Sequence, residues 1–339
     1  MEALKPSIMA TRRKLKQASL MWIAGFWEAC CLHRVVILCC RSRKLLIRTG
    51  QCFLLNGFIF LGSLFVLNSV VIPILEWILP DRCSGSSCQE LSLLGGILKF
   101  YSFLQGGLIQ LFYIFWFYPL YVFSFVLSSI WYNDIAKLGF DAMKNPKPSV
   151  AEPSKQSDAL TLEYKGKTER PTSVEGIVIG ILEQVYSVLL LTFFFLEVYC
   201  TGFIPFVGMA LNFLLLSWMY AYYCFEYKWN FSEVSLDNRL NFFETNWAFF
   251  AGFGSPCVLA IFFVSPLVSY GIMAILFPLF VLTATGSAVE QVIANQKRNW
   301  GGAELGRLPL FFAAHSLSLW VLSLIHLESQ EKTQDKKTL

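Results

Sequence analysis

Charge is the first thing this chain is short of. Of its 339 residues only 15% are Asp, Glu, Lys or Arg, against about 25% in an ordinary soluble protein. A soluble domain of this length could bury a sizeable core, but it would still need a charged skin, and too little charge is present to make one. Histidine is scarcer still. The three present (His33, His315 and His326) leave little for acid–base or metal chemistry. No Walker loop, dinucleotide fingerprint, His-Glu-x-x-His or Gly-x-Ser-x-Gly occurs, and each of those motifs carries a mechanism that needs its own spacing. The expectation is a protein that is not an enzyme and holds no cofactor or metal.

What fills the chain is apolar. Hydrophobic residues make up 55%, with 32 Phe, 13 Tyr and 10 Trp, which excludes disordered and small disulfide-scaffold classes. The class that remains is an all-α multi-pass membrane protein whose partner is the lipid bilayer. Its basic residues are concentrated at the start. Residues 1–50 carry ten Lys or Arg against Glu2 and Glu28, a net of +8 in a chain whose total is +4. Arg41 to Arg48 directly precede a long apolar run, and basic residues beside a span hold that end in the cytosol. This favours a membrane-anchoring arm over nucleic-acid binding. No cleavable signal peptide of the usual form is expected, because the first apolar stretch begins late.

The spacing predicts five regions: a basic arm over 1–50, a first transmembrane pair over 51–136, a polar linker over 137–175, a hairpin-containing region over 176–327 and a tail over 328–339. The first span is placed at 52–79 and the second within 97–130, each ample for about 20 residues of hydrocarbon crossing. Asn145-Pro-Lys-Pro, Glu152-Pro and Arg170-Pro break all periodicity in the linker. Two Pro-turned blocks follow. One rises over 176–200, turns at Thr201-Gly-Phe-Ile-Pro205 and returns over 206–225. The other rises over 247–264, turns at Ser265-Pro266 and returns over 267–285. Either each arm spans fully or each block is a partly penetrating hairpin, and both versions hand the chain back to the side it came from. Between them Trp229, Leu236, Leu240 and Phe243 recur at three- to four-residue steps, the pattern of a helix lying on the surface. Tyr223, Glu226, Trp229 and Arg239 are its candidate contacts for protein partners at the cytosolic surface. The last apolar run, 308–327, either spans or lies in the interface.

Several side chains stand out against this background. Glu183 and Glu197 lie fourteen residues apart in the first rising arm, on nearly one helical face. They are either intramembrane carboxylates on a path or partner site or markers of the arm's two ends. Cys83 and Cys88 occupy a loop assigned to the lumen, where a disulfide between them is permitted. Cys30, Cys31, His33, Cys39 and Cys40 have the residue types of a zinc set without its paired spacing, which favours interfacial thiols open to acylation. Lys336 and Lys337, fourth and third from the end, form a di-lysine pattern of the kind that retrieves endoplasmic-reticulum membrane proteins through a cytosolic tail. The sequon at Asn230 is expected to stay unused if that region is cytosolic.

Leu55-Asn56-Gly57, Val71-Ile72-Pro73, Ser129-Ile-Trp-Tyr-Asn-Asp-Ile-Ala136, Tyr223-Cys-Phe-Glu-Tyr-Lys-Trp229, Asn246-Trp247, Gly252-Phe253-Gly254 and Ile275-Leu-Phe-Pro-Leu-Phe280 together resemble the etoposide-induced protein 2.4 family over roughly residues 50–290. The resemblance implies a multi-pass protein of the endoplasmic-reticulum membrane involved in macroautophagy. The leading reading is a non-enzymatic scaffold or contact-site component, with both termini placed in the cytosol by the basic arm and the di-lysine tail. It also implies a wider kinship to CysZ-type sulfate permeases, whose folds combine full spans with partly penetrating hairpins. A permease for sulfate-like anions or ions is therefore the alternative, although Lys99 is the only basic residue plainly inside an apolar stretch. A homo-oligomer is compatible with either reading, since it would cover hairpin turns at membrane depth.

Overall fold

The computed structural model describes residues 4–78, 100, 103, 106–111, 113–144, 174–298, 300 and 305–335. Among them every regular element is a helix. Four helices are long and apolar enough to cross a membrane: Thr11–Arg41, Arg43–Ile74, Gly106–Lys144 and Pro266–Thr285. The chain is thus an all-α multi-pass membrane protein in the bilayer its composition called for.

Helix α1 (Leu4–Ala29) begins the chain and breaks at Cys30–Leu32 before α2 (His33–Arg41). Ser42 leaves the helical region (φ −130°, ψ 104°), and its side chain accepts from the Leu45 amide at 3.4 Å. A serine that satisfies an orphan amide in this way starts a new helix at an angle to the old one. That new helix, α3, is α-helical at Arg43–Phe53, widens to π at Leu54–Leu61 and Leu67–Val71, and ends with Ile72–Ile78. The return span enters through a π turn at Tyr113–Phe117 and continues as α4 (Tyr118–Lys144). The helix therefore runs through 137–144, which the sequence assigned to the linker; residues 145–173 lie outside those described.

The two apolar blocks form helical hairpins. The first pairs α5 (Val174–Thr201) with α6 (Gly208–Phe231), and the second pairs α8 (Trp247–Ile261) with α9 (Pro266–Thr285); α7 (Leu236–Thr245) joins them. Pro266 sits in the first turn of α9, where its missing N–H costs nothing. The turns are apolar and unshielded: Phe203, Phe206 and Val207 in one and Phe263 and Val264 in the other are exposed. An aqueous loop would not display such side chains, whereas lipid accepts them. Helices α10 (Val289–Arg298) and α11 (Phe312–Asp335) are the last of the described elements.

Helix α9 lies antiparallel to α3. Leu282 joins the cluster of Val35, Leu38, Leu45 and Ile135, the Cys52 thiol reaches the Ala274 carbonyl, and Tyr270 meets Phe60 edge-on at 5.2 Å. Leu267, one residue into α9, packs with Phe60, Leu64, Leu67 and Phe117. The α8–α9 turn therefore ends level with about Leu67, and α3 runs on to Ile78, roughly 16 Å farther at 1.5 Å per residue. The second hairpin stops short of the far end of the first span.

The N-terminal segment, expected as a basic arm, is instead part of the bundle. Helix α1 packs along α8 with backbones in contact. A Cβ built on Gly252 would lie 1.9 Å from the Trp22 carbonyl oxygen, and one on Gly25 would lie 2.0 Å from that of Phe249. Close approach of this kind is how small residues bring membrane helices together. Across α8, Gly254 meets the Ser217 carbonyl of α6 in the same manner. Gly252-Phe253-Gly254 thus seats α8 between two helices. Phe253 fills the space beneath, 4.8 Å from the Phe225 ring. Phe243 stacks on Phe250 at 4.2 Å, and Tyr222 meets Phe243 and Phe311 edge-on, the offset and perpendicular arrangements that ring quadrupoles favour.

Candidate functional sites: the polar end and the intramembrane cluster

The α2–α3 corner, the C-terminal half of α4, the end of α6, α7 and the α9–α10 junction converge on one end of the bundle. Phe140 on α4 meets Phe231 on α6 with ring centroids 5.6 Å apart. Arg48 pairs with Asp134 at 3.2 Å, and Arg34 pairs with Glu28 across the α1–α2 break. The Lys228 amine donates to the Ser287 carbonyl just beyond α9. Each hairpin thus returns its polar flank to a shared end. Burial lowers the Lys228 pKa below the ordinary lysine range, opposed by Glu290 and Glu28.

Tyr223 and Glu226 are half-buried here, while Trp229 and Arg239 are only 5% and 6% exposed. Trp229 and Arg239 were expected on the surface helix as partner contacts; the structure places them inside. Trp229 is enclosed by Tyr222, Phe225, Phe242 and Phe250. Arg239 donates to the Val234 carbonyl at 2.7 Å and to the Asn230 side chain. Ser187 donates to Glu226 at 3.3 Å. Burial raises the Glu226 pKa, and Arg239 and Ser187 pull it back. The group is an internal brace joining α5, α6 and α7. Nearby, buried Glu244 accepts from Arg307 at 2.8 Å and from the Phe311 amide at 3.1 Å, tying the approach to α11 onto α7. Among the described residues the apolar part of α11 runs over Phe312–Ser323 and lies on α5, where Tyr186 hydrogen-bonds His315.

A second polar group lies inside the membrane portion. Asn56, fully buried on the π-helical stretch of α3, accepts from Ser124 at 2.5 Å and donates to Ser128 at 2.9 Å. Ser124 in turn contacts the Tyr270 hydroxyl at 3.2 Å. One turn along α9, the Tyr132 hydroxyl donates to the Ala274 carbonyl at 3.0 Å. Pro278, four residues on, has no N–H to give that carbonyl. π-helical stretches recur at functional sites, and polar side chains stitch membrane helices together. This cluster joins α3, α4 and α9.

Glu197 on α5 is half-buried, with one carboxylate oxygen lacking a hydrogen-bond partner. Glu183 lies on the same helix, and its side chain is outside the described residues, as are Cys83, Cys88, Lys336, Lys337 and Lys99. Cys39 is buried whereas Cys30 and Cys40 are exposed, so these thiols do not converge as a ligand set. Glu28, Arg34, Lys228, Glu244 and Arg307 were not singled out from sequence. Asn56 is one of two amides, with Asn68, in the apolar run 52–79.

The profile described as sulfate transporter CysZ/etoposide-induced protein 2.4 matches residues 31–278. Protein EI24 homolog of Arabidopsis thaliana is 64% identical over 318 residues, covering 94% of this chain and 98% of that protein. Protein EI24 homolog of Dictyostelium discoideum is 26% identical over 306 residues, 90% of this chain and 84% of that one. Ectopic P granules protein 4 of Caenorhabditis elegans is 27% identical over 169 residues, 49% of this chain and 46% of that one. No solved structure matches the chain. The profile match reaches from just before α2 through Pro278, taking in the whole Asn56 cluster and, of the polar end, the residues from Arg34 to Glu244, and the chain belongs to the EI24 family.

Proposed function

We propose that this protein is a non-enzymatic multi-pass component of the endoplasmic-reticulum membrane that supports macroautophagy as a scaffold or contact-site element, with the polar end of the bundle and the C-terminal tail in the cytosol; the N-terminal end of α1, expected there too, runs along α8 toward the opposite end. Family membership supports the setting, through the role that the resemblance implies. The observation that carries the scaffold reading is the convergence of polar flanks on one end of the bundle. Lys228 bound to the Ser287 carbonyl and Arg48 paired with Asp134 make a broad hydrophilic face from four separate segments. Such a face suits protein contact. With Trp229 and Arg239 inside, the outward contacts fall to exposed neighbours such as Lys137, Asp141, Asn230 and Glu290.

The test is autophagic flux in cells lacking the protein. Flux is blocked without it and restored by the wild-type chain and by Glu197→Gln alike. Normal flux in the null cells would end the proposal.

Solute permeation is the second reading. It is favoured by the sulfate-transporter half of the family description and by the buried Asn56–Ser124–Ser128–Tyr270 group within the spans. Uptake of labelled sulfate into proteoliposomes, abolished by Asn56→Leu, is its expected signature. No uptake above protein-free vesicles removes it.

A further inference from the structure

The α3–α4 pair holds a cavity of about 490 Å³ at its polar end, lined by Lys44, Ile47, Arg48, Gln51, Asp134, Lys137, Leu138 and Asp141. Arg48 is fixed within it by Asp134 at 3.2 Å, by the Gln51 side chain at 3.2 Å and by the Trp131 ring, whose centroid lies 5.9 Å from the guanidinium carbon. Its charge is therefore offset by Asp134. Lys44 and Lys137 are exposed, and neither forms an ion pair among the described residues. Against Asp141, the only other acid in the lining, they leave a net positive charge. Four donor groups line one volume: two ammonium groups, the guanidinium and the Gln51 amide.

The walls do not stay polar. One turn farther toward the membrane the same two faces present Leu54 on α3 and Ile130 on α4, both exposed, with Leu127 half-buried between them. A positively charged cup that opens onto a lipid-facing apolar groove has the shape of an amphiphile. A soluble anion would use the cup and leave the groove empty.

We propose that this cavity is a binding site for the phosphate headgroup of an anionic glycerophospholipid, with Lys44 and Lys137 on the phosphate and the acyl chains along Leu54 and Ile130. Arg48 supplies the rigid floor and the two lysines supply the affinity, since a basic side chain close to the bilayer surface attracts acidic headgroups. Ile47 and Leu138 cover the glycerol region. Asp141 at the rim repels a headgroup that enters without a cationic partner, so the lysines act as a pair.

The full chain, purified in detergent, is mixed in turn with dioleoyl phosphatidate, dioleoyl phosphatidylcholine and inorganic phosphate, and bound adducts are read by native mass spectrometry. Phosphatidate is retained at least fivefold over phosphatidylcholine, in keeping with about 1 kcal/mol per basic residue at the surface. Lys44→Gln/Lys137→Gln lowers that retention roughly thirtyfold, again from the same contribution of each lysine, while the unfolding temperature is unchanged. Gln51→Lys raises it, which keeps the proposal falsifiable should the double variant fold poorly. Lys297→Gln/Arg298→Gln on α10 leaves it as it was. Equal retention of the two lipids overturns the proposal, and so does an unaffected double variant or an equal loss in the α10 variant. Displacement of phosphatidate by an equal concentration of inorganic phosphate marks a site for a soluble anion and overturns it as well.

Discussion

Tyr132 on α4 gives its hydroxyl proton to the carbonyl of Ala274 on α9, at 3.0 Å. That carbonyl is the one left without a helical donor by Pro278. In water such an orphan would be solvated; at membrane depth it has to be met by protein. The Cys52 thiol approaches the same oxygen at 3.7 Å, so α3 and α4 both converge on the break in α9. A proline that weakens one helix has become the point where three helices join.

Tyr132→Phe accordingly leaves the Ala274 carbonyl without its main partner and destabilises the protein by about 1 kcal/mol. Pro278→Ala restores an N–H to the ladder and makes the hydroxyl redundant. In a double-mutant cycle read by thermal unfolding in detergent, the cost of Tyr132→Phe falls to near zero in the Pro278→Ala background. Purely additive losses would show that the two residues are not linked through this carbonyl.

The α1–α8 crossing yields a steric prediction. Gly252→Ala places a methyl group where the Trp22 carbonyl oxygen already sits, and both groups belong to helix backbones that cannot turn aside. The helices must separate, at a cost of roughly 1–3 kcal/mol or more. Limited proteolysis then releases the N-terminal segment from the variant faster than from the wild type. Gly50→Ala, where nothing lies within 4 Å of the new Cβ, is the neutral control.

How much of this the sequence discloses depends on the kind of contact. Long apolar runs and their prolines disclose the spans beyond residue 42, the two hairpins and the turns, because burial in lipid is written in hydropathy; Thr11–Arg41, also long and apolar enough to cross, is hidden by the basic residues that flank it. The docking of α1 is not disclosed, since it rests on Gly25 and Gly252 and a glycine contact carries no hydrophobic period. Arg239 is an instructive case. It lies on the same stripe as Leu236 and Phe243, all three buried, so the helical period already turned it inward. Its charge suggested the surface, and a charge does not reveal that Asn230, the Val234 carbonyl and the field of Glu226 await it.

Glu226 supplies a pH prediction. Burial holds its pKa above the ordinary 4.5 despite Arg239, so the folded protein binds more protons than the unfolded chain just above that value. Stability is then fully present below the ordinary carboxylate range and declines as pH rises through the raised pKa. Unfolding temperatures of the detergent-solubilised protein from pH 4 to pH 7 show this decline. Glu226→Gln, which fixes the neutral form, flattens it. A variant with the same slope as wild type would assign the dependence elsewhere.

The arrangement of the hairpins predicts a labelling pattern in sealed vesicles. Lys228 binds the carbonyl of Ser287, and Lys297 lies in the last turn of α10, nearly three turns beyond that point. Cysteines substituted for Lys228 and Lys297 are therefore reached by a membrane-impermeant thiol reagent from the same face. The turns behave differently. Phe206 and Phe263 are exposed on the protein, yet the α8–α9 turn ends level with about Leu67 while α3 extends to Ile78. A cysteine at Phe263 should thus remain unlabelled from either face until detergent is added, whereas one at Trp77, near the end of α3, is labelled from the face opposite Lys228. Reaction of the Phe263 position at that opposite face would mean that the second hairpin crosses completely. Labelling of the two lysine positions from different faces would undo the shared polar end on which the scaffold reading rests.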